Sequence, residues 1–328
     1  MFSCSIAGTG AYVPEKRLTN FDLEKMVDTS DEWIVKRTGI RERRIADPTQ
    51  STSDLAVQAA RRALESAELD PSEIGAIILA TCTPDTILPA GAVYVQAALG
   101  AGTAAAFDVS AACTGFVYGV TIGSSMISAG VCDNVLVIGA ETLSRIIDYE
   151  DRNTCILFGD GAGAVVLRRT EEGATSGIVD NFVRAEGGGR ELIEMPAGGA
   201  RLPASSETIE ARQHFIRMQG REVFKFATKT IVDLIETALE RNNLKPEDLT
   251  LVVPHQVNHR IVEAALKKVA LPPDRIYLNL ERYGNTSAAS VPLGLSEAVD
   301  AGRVERGDWV LLLAFGAGVT WGYNLLRW

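Results

Sequence analysis

The sequence lacks the long hydrophobic runs that would place it in a membrane. A membrane-spanning helix needs roughly 18 consecutive apolar residues, whereas the strongest apolar run, 309–319, is shorter and contains two glycines. The first four residues include no basic side chain, and Gly8 and Gly10 interrupt the apolar stretch that follows. We therefore expect neither a membrane partner nor a signal or transit peptide.

Cysteine pairs with the spacing of disulfide or zinc motifs are also missing. The five cysteines are odd in number, widely spaced and without a CxxC pair; they are Cys4, Cys82, Cys113, Cys132 and Cys155. A disulfide framework and a metal site are not expected, and the pattern favours a reducing cytoplasm.

Basic residues are in deficit, because 32 Lys and Arg face 42 Asp and Glu and leave a net charge of −10. Such a chain is a poor general binder of nucleic acid, and we expect no nucleic-acid partner. Any anionic partner must meet a local basic patch.

The remaining composition is that of a globular chain. Its 328 residues are 46% hydrophobic and 23% charged, which fits about two domains or one large α/β unit. Strand-like and helix-like periodicities alternate, and this predicts an α/β architecture in layers. Residues 184–207 are glycine-rich and irregular, which predicts a long surface loop. The predicted strands are 3–7, 74–81, 104–109, 135–140, 164–167, 249–253, 275–280 and 309–315, and the predicted helices are 52–67, 115–129, 223–241, 261–269 and 288–301.

Short segments recur in the same order in the two parts of the chain. The matching pairs are 63–74 with 238–249, 133–136 with 308–311, and 129–130 with 301–302. The first two pairs are offset by 175 residues and the third by 172. Chance explains one short match, but three in order favour a duplication into halves 1–172 and 173–328. At the offset of 172, Cys113 corresponds to Asn285, each on a turn before a helix.

Cys113 is the best candidate for a nucleophile. It follows a predicted strand, lies among small residues and precedes a predicted helix. The positive end of a helix dipole lowers the pKa of a thiol and favours the reactive thiolate. The alternative is a buried, inert cysteine, which fits Cys82, Cys132 and Cys155 better because they lie in or beside apolar runs.

Histidine is scarce, and one of the three has the position expected of a site residue. His255 follows predicted strand 249–253, and sites in α/β proteins form at such strand ends. A cap on the following helix is the alternative. His259 lies four residues later, but the pair has no obvious third ligand, so no metal is expected. His214 lies in a charged run and is expected to be exposed.

Two further turns carry groups that could stabilise an oxyanion. Asn285, in the run 283–290, could donate its amide to developing negative charge, or could simply cap the next helix. Gly316, Ala317 and Gly318 follow a predicted strand and fit a tight turn that presents backbone N–H groups. No glycine fingerprint for phosphate or dinucleotide binding is present.

Together these clusters resemble the β-ketoacyl-acyl carrier protein synthase III family of the thiolase superfamily. The motifs are DTSDEWI (28–34), RTGI (37–40), AAC (111–113), FGDGAG (158–163), VPHQ (253–256) with Asn258, and GNTSAAS (284–290). The resemblance covers essentially the whole chain. It implies a thiolase-like, five-layered αβαβα sandwich of two pseudo-symmetric halves, a homodimer, and a catalytic triad of Cys113, His255 and Asn285.

The resemblance also implies a reaction, a decarboxylative Claisen condensation of an acyl-CoA primer with malonyl-acyl carrier protein. The product would be a 3-oxoacyl-acyl carrier protein, which initiates fatty acid synthesis. The acyl group would reside on Cys113, and His255 and Asn285 would hydrogen-bond the malonyl thioester oxygen. Backbone N–H groups of Cys113 and of the 316–318 turn would serve the acyl oxygen. No cofactor is expected beyond the coenzyme A thioester substrate.

Coenzyme A needs a place for its adenine and phosphates. Trp33 and Arg37 are four residues apart, so on a helix they could hold a flat ring between them. A tryptophan that simply covers the core is the alternative. The resemblance adds Thr29, Arg152, Gly220, Phe224 and Asn258 along the coenzyme A tunnel.

The acidic carrier protein needs a basic surface. Arg260, Lys267 and Lys268 share one face of a predicted helix that begins just after His255, while Lys225 and Arg221 can join from the helix after residue 220. A solvated helix face with no partner is the alternative.

Two positions depart from the family pattern. Leu88 stands where some relatives carry a bulky aromatic residue at the end of the acyl pocket, in a loop that often crosses the dimer interface. A smaller residue there would admit primers longer than acetyl, or the loop could be a simple apolar plug. Ala317 replaces a common glycine and could restrict the turn.

Related families and functions are separable by their residues. Thiolases use a second cysteine late in the chain, and none follows Cys155 here. The elongating synthases use two histidines, and Asn285 takes the second place here. A condensing or acyl-transfer enzyme of secondary metabolism stays open, whereas the intact triad argues against a non-catalytic partner subunit.

Overall fold

The structure is a computed structural model that describes residues 4–328. The strands are β1 (Cys4–Tyr12), β2 (Arg17–Thr19), β3 (Glu42–Arg44), β4 (Ala76–Ala80), β5 (Ala105–Val109), β6 (Asn134–Glu141), β7 (Gly161–Arg169), β8 (Gly177–Ala185), β9 (Ile193–Glu194), β10 (Arg217–Met218), β11 (Leu249–Pro254), β12 (Trp309–Gly316) and β13 (Thr320–Arg327). The α-helices are α1 (Asn20–Leu23), α2 (Asp31–Thr38), α3 (Thr52–Ser66), α4 (Gly91–Leu99), α5 (Gly115–Ser128), α6 (Ser206–Glu210), α7 (Gly220–Arg241), α8 (His259–Val269), α9 (Leu280–Tyr283) and α10 (Ser290–Asp300). Ser3, the predicted start of the first strand, lies outside the described residues. Within them, no helix is long and apolar enough to span a bilayer.

Two sheets repeat one strand pattern. The five-stranded sheet has the order β1-β7-β6-β4-β5, and the four-stranded sheet has the order β8-β13-β12-β11. In both, the first three strands pair antiparallel and the fourth pairs parallel to the third. The place of β5 is taken in the second sheet by one parallel bridge between Val252 and Ile276. The strand predicted over 275–280 is therefore wrong, because a 3₁₀ turn at Pro273–Arg275 and helix α9 leave room for only that bridge.

Five layers follow from three hydrophobic clusters. Helices α3 and α4 cover the outer face of the first sheet, and α7 and α8 cover the outer face of the second. Helices α5 and α10 lie between the sheets in a central cluster to which both sheets contribute. The predicted αβαβα sandwich is confirmed.

The close fit of α3 against the first sheet depends on two glycines. A Cβ at Gly8 would lie 2.4 Å from the Ala63 carbonyl oxygen, and one at Gly10 would lie 2.3 Å from that of Ala59. These glycines do not end a strand. They lie inside β1, where their lack of a side chain allows the alanine-rich face of the helix to approach.

The internal repeat is visible in the turns before the two central helices. Short 3₁₀ turns at Ala112–Thr114 and Ser287–Ala289 precede α5 and α10, and each begins with a left-handed residue. Ala112 has φ 46° and Ser287 has φ 48°. At this point the two parts are in step at 175 residues, so Cys113 corresponds to Ala288. Its predicted equivalence with Asn285 is wrong.

The reason for that error is a difference in helix length. Helix α5 has 14 residues and α10 has 11, so the offset is 172 only beyond the helices. Strands of the first sheet end at Arg169 and strands of the second begin at Gly177. Halves 1–172 and 173–328 stay a prediction for the domain boundary.

The predicted surface loop 184–207 is more than a loop. Strand β9 lies inside it and pairs with β10, and the Ile216 backbone N–H donates to Ile146 O at 2.9 Å. This ribbon lies over the pocket described next, and Ile193, Glu194 and Met195 contribute to the pocket wall.

Candidate active site

Cys113 lies in the middle of the 3₁₀ turn that leads into α5, as the sequence predicted for a helix start. The end of β12 packs directly against it. A Cβ at Gly316 would lie 2.8 Å from the Cys113 backbone nitrogen, so only glycine allows this approach. The nucleophile candidate is therefore held between elements of both sheets.

A pocket of about 240 Å³ opens over this turn. Its wall is largely apolar, and it brings together Cys113, His255 and Asn285, which are far apart in sequence. The apolar contributors are Leu143, Ile146, Phe158, Ile193, Met195, Ile216, Met218, Val223, Phe226, Val257, Phe315, Ala317 and Val319. The three residues predicted to work together are thus in one cavity.

His255 is fully buried at the end of β11. Its backbone N–H donates to Leu313 O at 2.7 Å, and its ring packs edge-on against Phe315 with centroids 5.3 Å apart. Neither ring nitrogen has a hydrogen-bond partner in the described part of the chain. Burial lowers the pKa of His255 to about 3, so the ring is neutral and its N–H is available to a ligand. The alternative of a helix cap does not hold, because the Asn258 side chain caps α8 instead, accepting from Arg260 N at 2.9 Å.

Asn285 is fixed by its own turn. Its Oδ1 accepts from Ser287 N at 2.8 Å, and its backbone N–H donates to Leu157 O at 2.8 Å. The use of Oδ1 leaves the amide nitrogen as the donor group that this residue can offer to the pocket.

The pKa of Cys113 differs from the sequence expectation. Protein surrounds the side chain, and this burial raises the pKa of the thiol to about 12. A hydrogen bond with Ser287 lowers it, whereas the charge of Glu141 raises it. The position at the start of a helix does not outweigh desolvation by apolar walls, so the resting group is a thiol.

The turn 316–318 lies beside the nucleophile. Gly316 and Ala317 line the pocket. Gly318 has φ 129°, and Ala317 is not among the left-handed residues. The alanine therefore restricts nothing that this turn requires.

A second cavity of about 630 Å³ leads from the surface to the first. Met218, Val223 and Val257 line both cavities and form the constriction between them. Five of the residues predicted for coenzyme A line the outer cavity; they are Trp33, Arg37, Gly220, Phe224 and Asn258.

Trp33 has two guanidinium neighbours instead of one. The Arg37 and Arg152 guanidinium carbons lie 5.2 Å and 5.3 Å from its ring centroid. Arg152 is held by the Asp28 carbonyl oxygen at 2.9 Å. Trp33 also packs against a hydrophobic cluster, so the alternative of a core-covering tryptophan holds as well. The buried Thr29 hydroxyl has no hydrogen-bond partner among the described residues.

The predicted basic residues lie near the outer cavity to different degrees. Arg221, Lys225 and Arg260 line it, although Lys225 pairs with Glu222 at 3.2 Å. Lys267 and Lys268 are exposed in the last turn of α8.

Leu88 does not line the pocket of its own chain. It is 87% exposed, as is Ile87 beside it. In a single chain, its predicted place at the end of the acyl pocket is not realised.

The histidines outside the pocket do not join it. His259 is exposed and pairs with Glu263 at 3.4 Å, and His214 contacts the Thr208 hydroxyl at 2.9 Å. Within residues 4–328, no three His, Cys, Asp or Glu side chains are grouped as metal ligands would be.

Sequence reasoning missed three polar residues next to the nucleophile. Cys82 and Ser287 line the pocket, and Glu141 lies just behind its wall. Cys82 was assigned to the inert cysteines because it follows an apolar strand. The one available signal was positional, since Ser287 lies 175 residues after Ala112, next to the nucleophile.

Burial of neutral His255 predicts a specific pH dependence. Its pKa of about 3 is below its ordinary 6.5, so as the pH falls below 6.5 the unfolded chain takes up a proton that the folded chain refuses. We expect the free energy of unfolding to fall by about 2 kcal/mol from this group between pH 7 and pH 5. His255→Gln should remove that loss in urea titrations.

Nitrogen NMR of the histidine side chains gives a direct check. With His255→Gln as the assignment variant, the native His255 signals should keep their neutral shifts down to pH 5. A midpoint near 6.5 would contradict the proposed environment.

Comparisons with known proteins agree with this geometry. Family models described as 3-oxoacyl-[acyl-carrier-protein] synthase III and as its C-terminal part match residues 107–187 and 239–328. The β-ketoacyl-[acyl-carrier-protein] synthase III of Caldanaerobacter subterraneus subsp. tengcongensis is 56% identical over 326 residues, covering 99% of this chain and 98% of the relative. That of Desulfitobacterium hafniense is 51% identical, covering 100% of this chain and 98% of the relative. The crystal structure of 3-oxoacyl-[acyl-carrier-protein] synthase III from Aquifex aeolicus is 49% identical and superimposes with a TM-score of 0.91, covering 99% of this chain and 100% of that one. The chain belongs to the 3-oxoacyl-[acyl-carrier-protein] synthase III family.

Proposed function

We propose that this protein condenses an acyl-CoA primer with malonyl-acyl carrier protein, with loss of CO₂, to give a 3-oxoacyl-acyl carrier protein that begins fatty acid synthesis. The observation that carries the proposal is the convergence of Cys113, His255 and Asn285 in one apolar pocket of a chain from this family. The proposal includes a cytoplasmic location, since the cysteines of residues 4–328 form no disulfide.

In the first step the Cys113 sulfur attacks the acyl-CoA carbonyl, and the coenzyme A thiol leaves. Backbone N–H groups of Cys113 and of the 316–318 turn are the donors placed to receive the oxyanion. The outer cavity suits coenzyme A, because a charged, partly apolar cavity beside Trp33 and Arg152 leads through a constriction to the thiol. A flat adenine could replace one guanidinium contact on the tryptophan ring.

In the second step malonyl-acyl carrier protein loses CO₂ and its thioester oxygen gains negative charge. The neutral His255 ring and the Asn285 amide each offer an N–H to that oxygen. His255 acts as a donor and not as an acid, because burial keeps its pKa at about 3. The carbanion then attacks the acyl group on Cys113.

The division of labour between the three residues is open to test. His255→Ala and Asn285→Ala should slow decarboxylation of malonyl-acyl carrier protein by about 10²–10³-fold, the usual cost of a lost oxyanion donor. Both variants should still form acyl-enzyme from acyl-CoA, measured by intact-protein mass spectrometry. Cys113→Ala is the control, since it should form no acyl-enzyme while keeping the fold.

Equal losses in the two steps would contradict the assignment, as would an adduct of full yield on Cys113→Ala. A native enzyme that forms acyl-enzyme but yields no 3-oxoacyl product with malonyl-acyl carrier protein would favour the secondary-metabolism alternative.

The proposal assigns the carrier protein to the face of α8 and the start of α7. Arg260, Lys267 and Lys268 are exposed there, at the end of β11 where the outer cavity opens. A compact basic face on an acidic chain of net charge −10 suits an acidic partner. Lys225 contributes less free charge because Glu222 pairs with it.

Charge reversal separates this role from a solvated face. Lys267→Glu or Lys268→Glu should raise KM for malonyl-acyl carrier protein by about 10-fold, with added salt having the same effect on the native enzyme. Acylation by acyl-CoA should hardly change. Arg306→Glu, at the opposite end of β12 from Gly316, is the matched control. An unchanged KM in both lysine variants would leave the face without a partner.

The homodimer is a further part of the proposal. Strand β5 is the free edge of the five-stranded sheet. Next to it, Ile87, Leu88, Val93 and Tyr94 form an exposed apolar patch. Free strand edges and apolar patches of this kind favour pairing with a second copy, which would cover Leu88 and bring it to the partner's pocket.

Leu88→Phe tests the position of this residue in the assembly. If Leu88 closes the partner's acyl pocket, a ring should narrow the acyl-CoA profile toward acetyl. Each excluded methylene is worth up to ~0.8 kcal/mol, or about fourfold in rate. Ile87→Phe on the same loop is the control, and acylation rates across chain lengths are the measurement. A native enzyme restricted to acetyl-CoA, or an unaltered profile in Leu88→Phe, would remove Leu88 as the gate.

A further inference from the structure

Glu141 is a buried carboxylate that the proposed mechanism does not use. It is the last residue of β6 and is fully buried. Its oxygens accept from Thr83 Oγ1 at 2.6 Å, Thr81 Oγ1 at 3.1 Å, and Cys82 N and Sγ at 3.1 Å and 3.2 Å. Among the described residues no cation pairs with it. A carboxylate that only accepts fits the ionised state.

Such a group is costly to keep. Burial raises the pKa of Glu141, and the hydrogen bonds from Thr83 and Cys82 offset this only in part. An unpaired buried charge is destabilising unless it serves a purpose. One purpose is structural, because the bonds hold the turn at residues 81–83. A second purpose is indicated by what lies on its other side.

Ser287 connects this carboxylate to the nucleophile. Its hydroxyl hydrogen-bonds with both the Cys113 thiol and the Glu141 carboxyl, and lowers the pKa of each. Ser287 lines the pocket, whereas Glu141 lies behind the wall. The residue is held at φ 48°, in the left-handed region, by a turn that also positions Asn285.

We propose that Ser287 and Glu141 form a relay that takes the proton from Cys113 when its sulfur attacks the acyl thioester. The inference rests on the proposed function and deepens it. As the S–C bond forms, the thiol proton passes to the Ser287 oxygen and the Ser287 proton passes to Glu141. When the thioester C–S bond breaks, the proton returns by the same path to the departing coenzyme A sulfur. No atom or electron is gained or lost overall.

A relay is needed because the pocket offers no other ready acceptor. The pKa of Cys113 is about 12, so at neutral pH roughly one molecule in 10⁵ carries the thiolate. His255 has a pKa of about 3 and is a weak base. The titratable groups that face Glu141 are Cys113 on the turn before α5 and Cys82 after β4.

Ser287→Ala separates the relay from the structural purpose. It removes the hydroxyl and leaves the bonds of Glu141 to residues 81–83 in place. The backbone tolerates alanine, because Ala112 adopts φ 46° at the corresponding position of the first half. Glu141→Gln is the second variant, since an amide oxygen still accepts hydrogen bonds but takes up no proton. Cys82→Ala is the matched control, because Cys82 contacts both relay residues without lying between them and the nucleophile.

Acylation of Cys113 by acyl-CoA, followed by rapid quench and intact-protein mass, is the first measurement. Ser287→Ala and Glu141→Gln should each slow it by about 10²-fold, the lower range for lost proton transfer. The double variant should be no slower than either single one. Decarboxylation of malonyl-acyl carrier protein and the rate in Cys82→Ala should stay within about threefold of native.

The pH profile is a readout that a purely structural role would not move. Native acylation should be level between pH 7 and pH 9, where Glu141 accepts the proton. Without the relay, the rate should rise tenfold per pH unit, because only the scarce thiolate reacts.

Alkylation of Cys113 by iodoacetamide repeats the test without acyl-CoA. If the native protein forms no acyl-enzyme, the proposed function fails, and alkylation still decides the relay by the same fold-loss and slope. Unchanged alkylation and acylation in Ser287→Ala would overturn the relay. So would an equal loss of decarboxylation, or an equal loss in Cys82→Ala.

Discussion

The structure depends on a reciprocal contact between its two halves at two glycines. Gly316 of β12 lets the Cys113 turn approach the second sheet, and Gly139 of β6 does the same for the Asn285 turn. A Cβ at Gly139 would lie 2.1 Å from the Ala288 carbonyl oxygen. Each sheet therefore supports the turn that belongs to the other half. The pocket exists only where these two contacts meet, between the central helices.

That arrangement explains the electrostatics of the site. Apolar side chains from both sheets surround the three polar groups, so burial keeps Cys113 protonated and His255 neutral. A thiolate–imidazolium pair would need two charges in the same dry space. The pocket instead offers uncharged donors where charge appears during reaction, and the one buried carboxylate, Glu141, lies behind the wall.

Much of the architecture could be predicted from sequence, because local signals agreed with the final fold. The apolar run at 135–140 and the helical period at 115–129 reappear as β6 and α5. The motifs around Cys113, His255 and Asn285 pointed to groups that do meet in one cavity. Strand β13 was missed because its run mixes Thr, Gly, Tyr and Asn with apolar residues. Its place in the sheet comes from pairing with β12 and β8.

Other features depended on tertiary context that no local pattern carries. The desolvation of Cys113 is set by walls from distant segments, so its helix-start position predicted the wrong direction of pKa shift. The ribbon that includes Ile193 looked like a loop because its two short strands pair across 24 residues. The roles of Glu141 and Ser287 depend on a proximity that spans the two halves.

The support of the Cys113 turn by Gly316 also has a consequence for synthesis on the ribosome. The nucleophile is made in the first half of the chain, but β12 (Trp309–Gly316) is among its last segments. The walls that protonate and shield the thiol therefore close only when translation is nearly complete. Until then the nascent chain carries an ordinary cysteine, and chaperones and cellular oxidants meet a thiol that the finished protein has hidden.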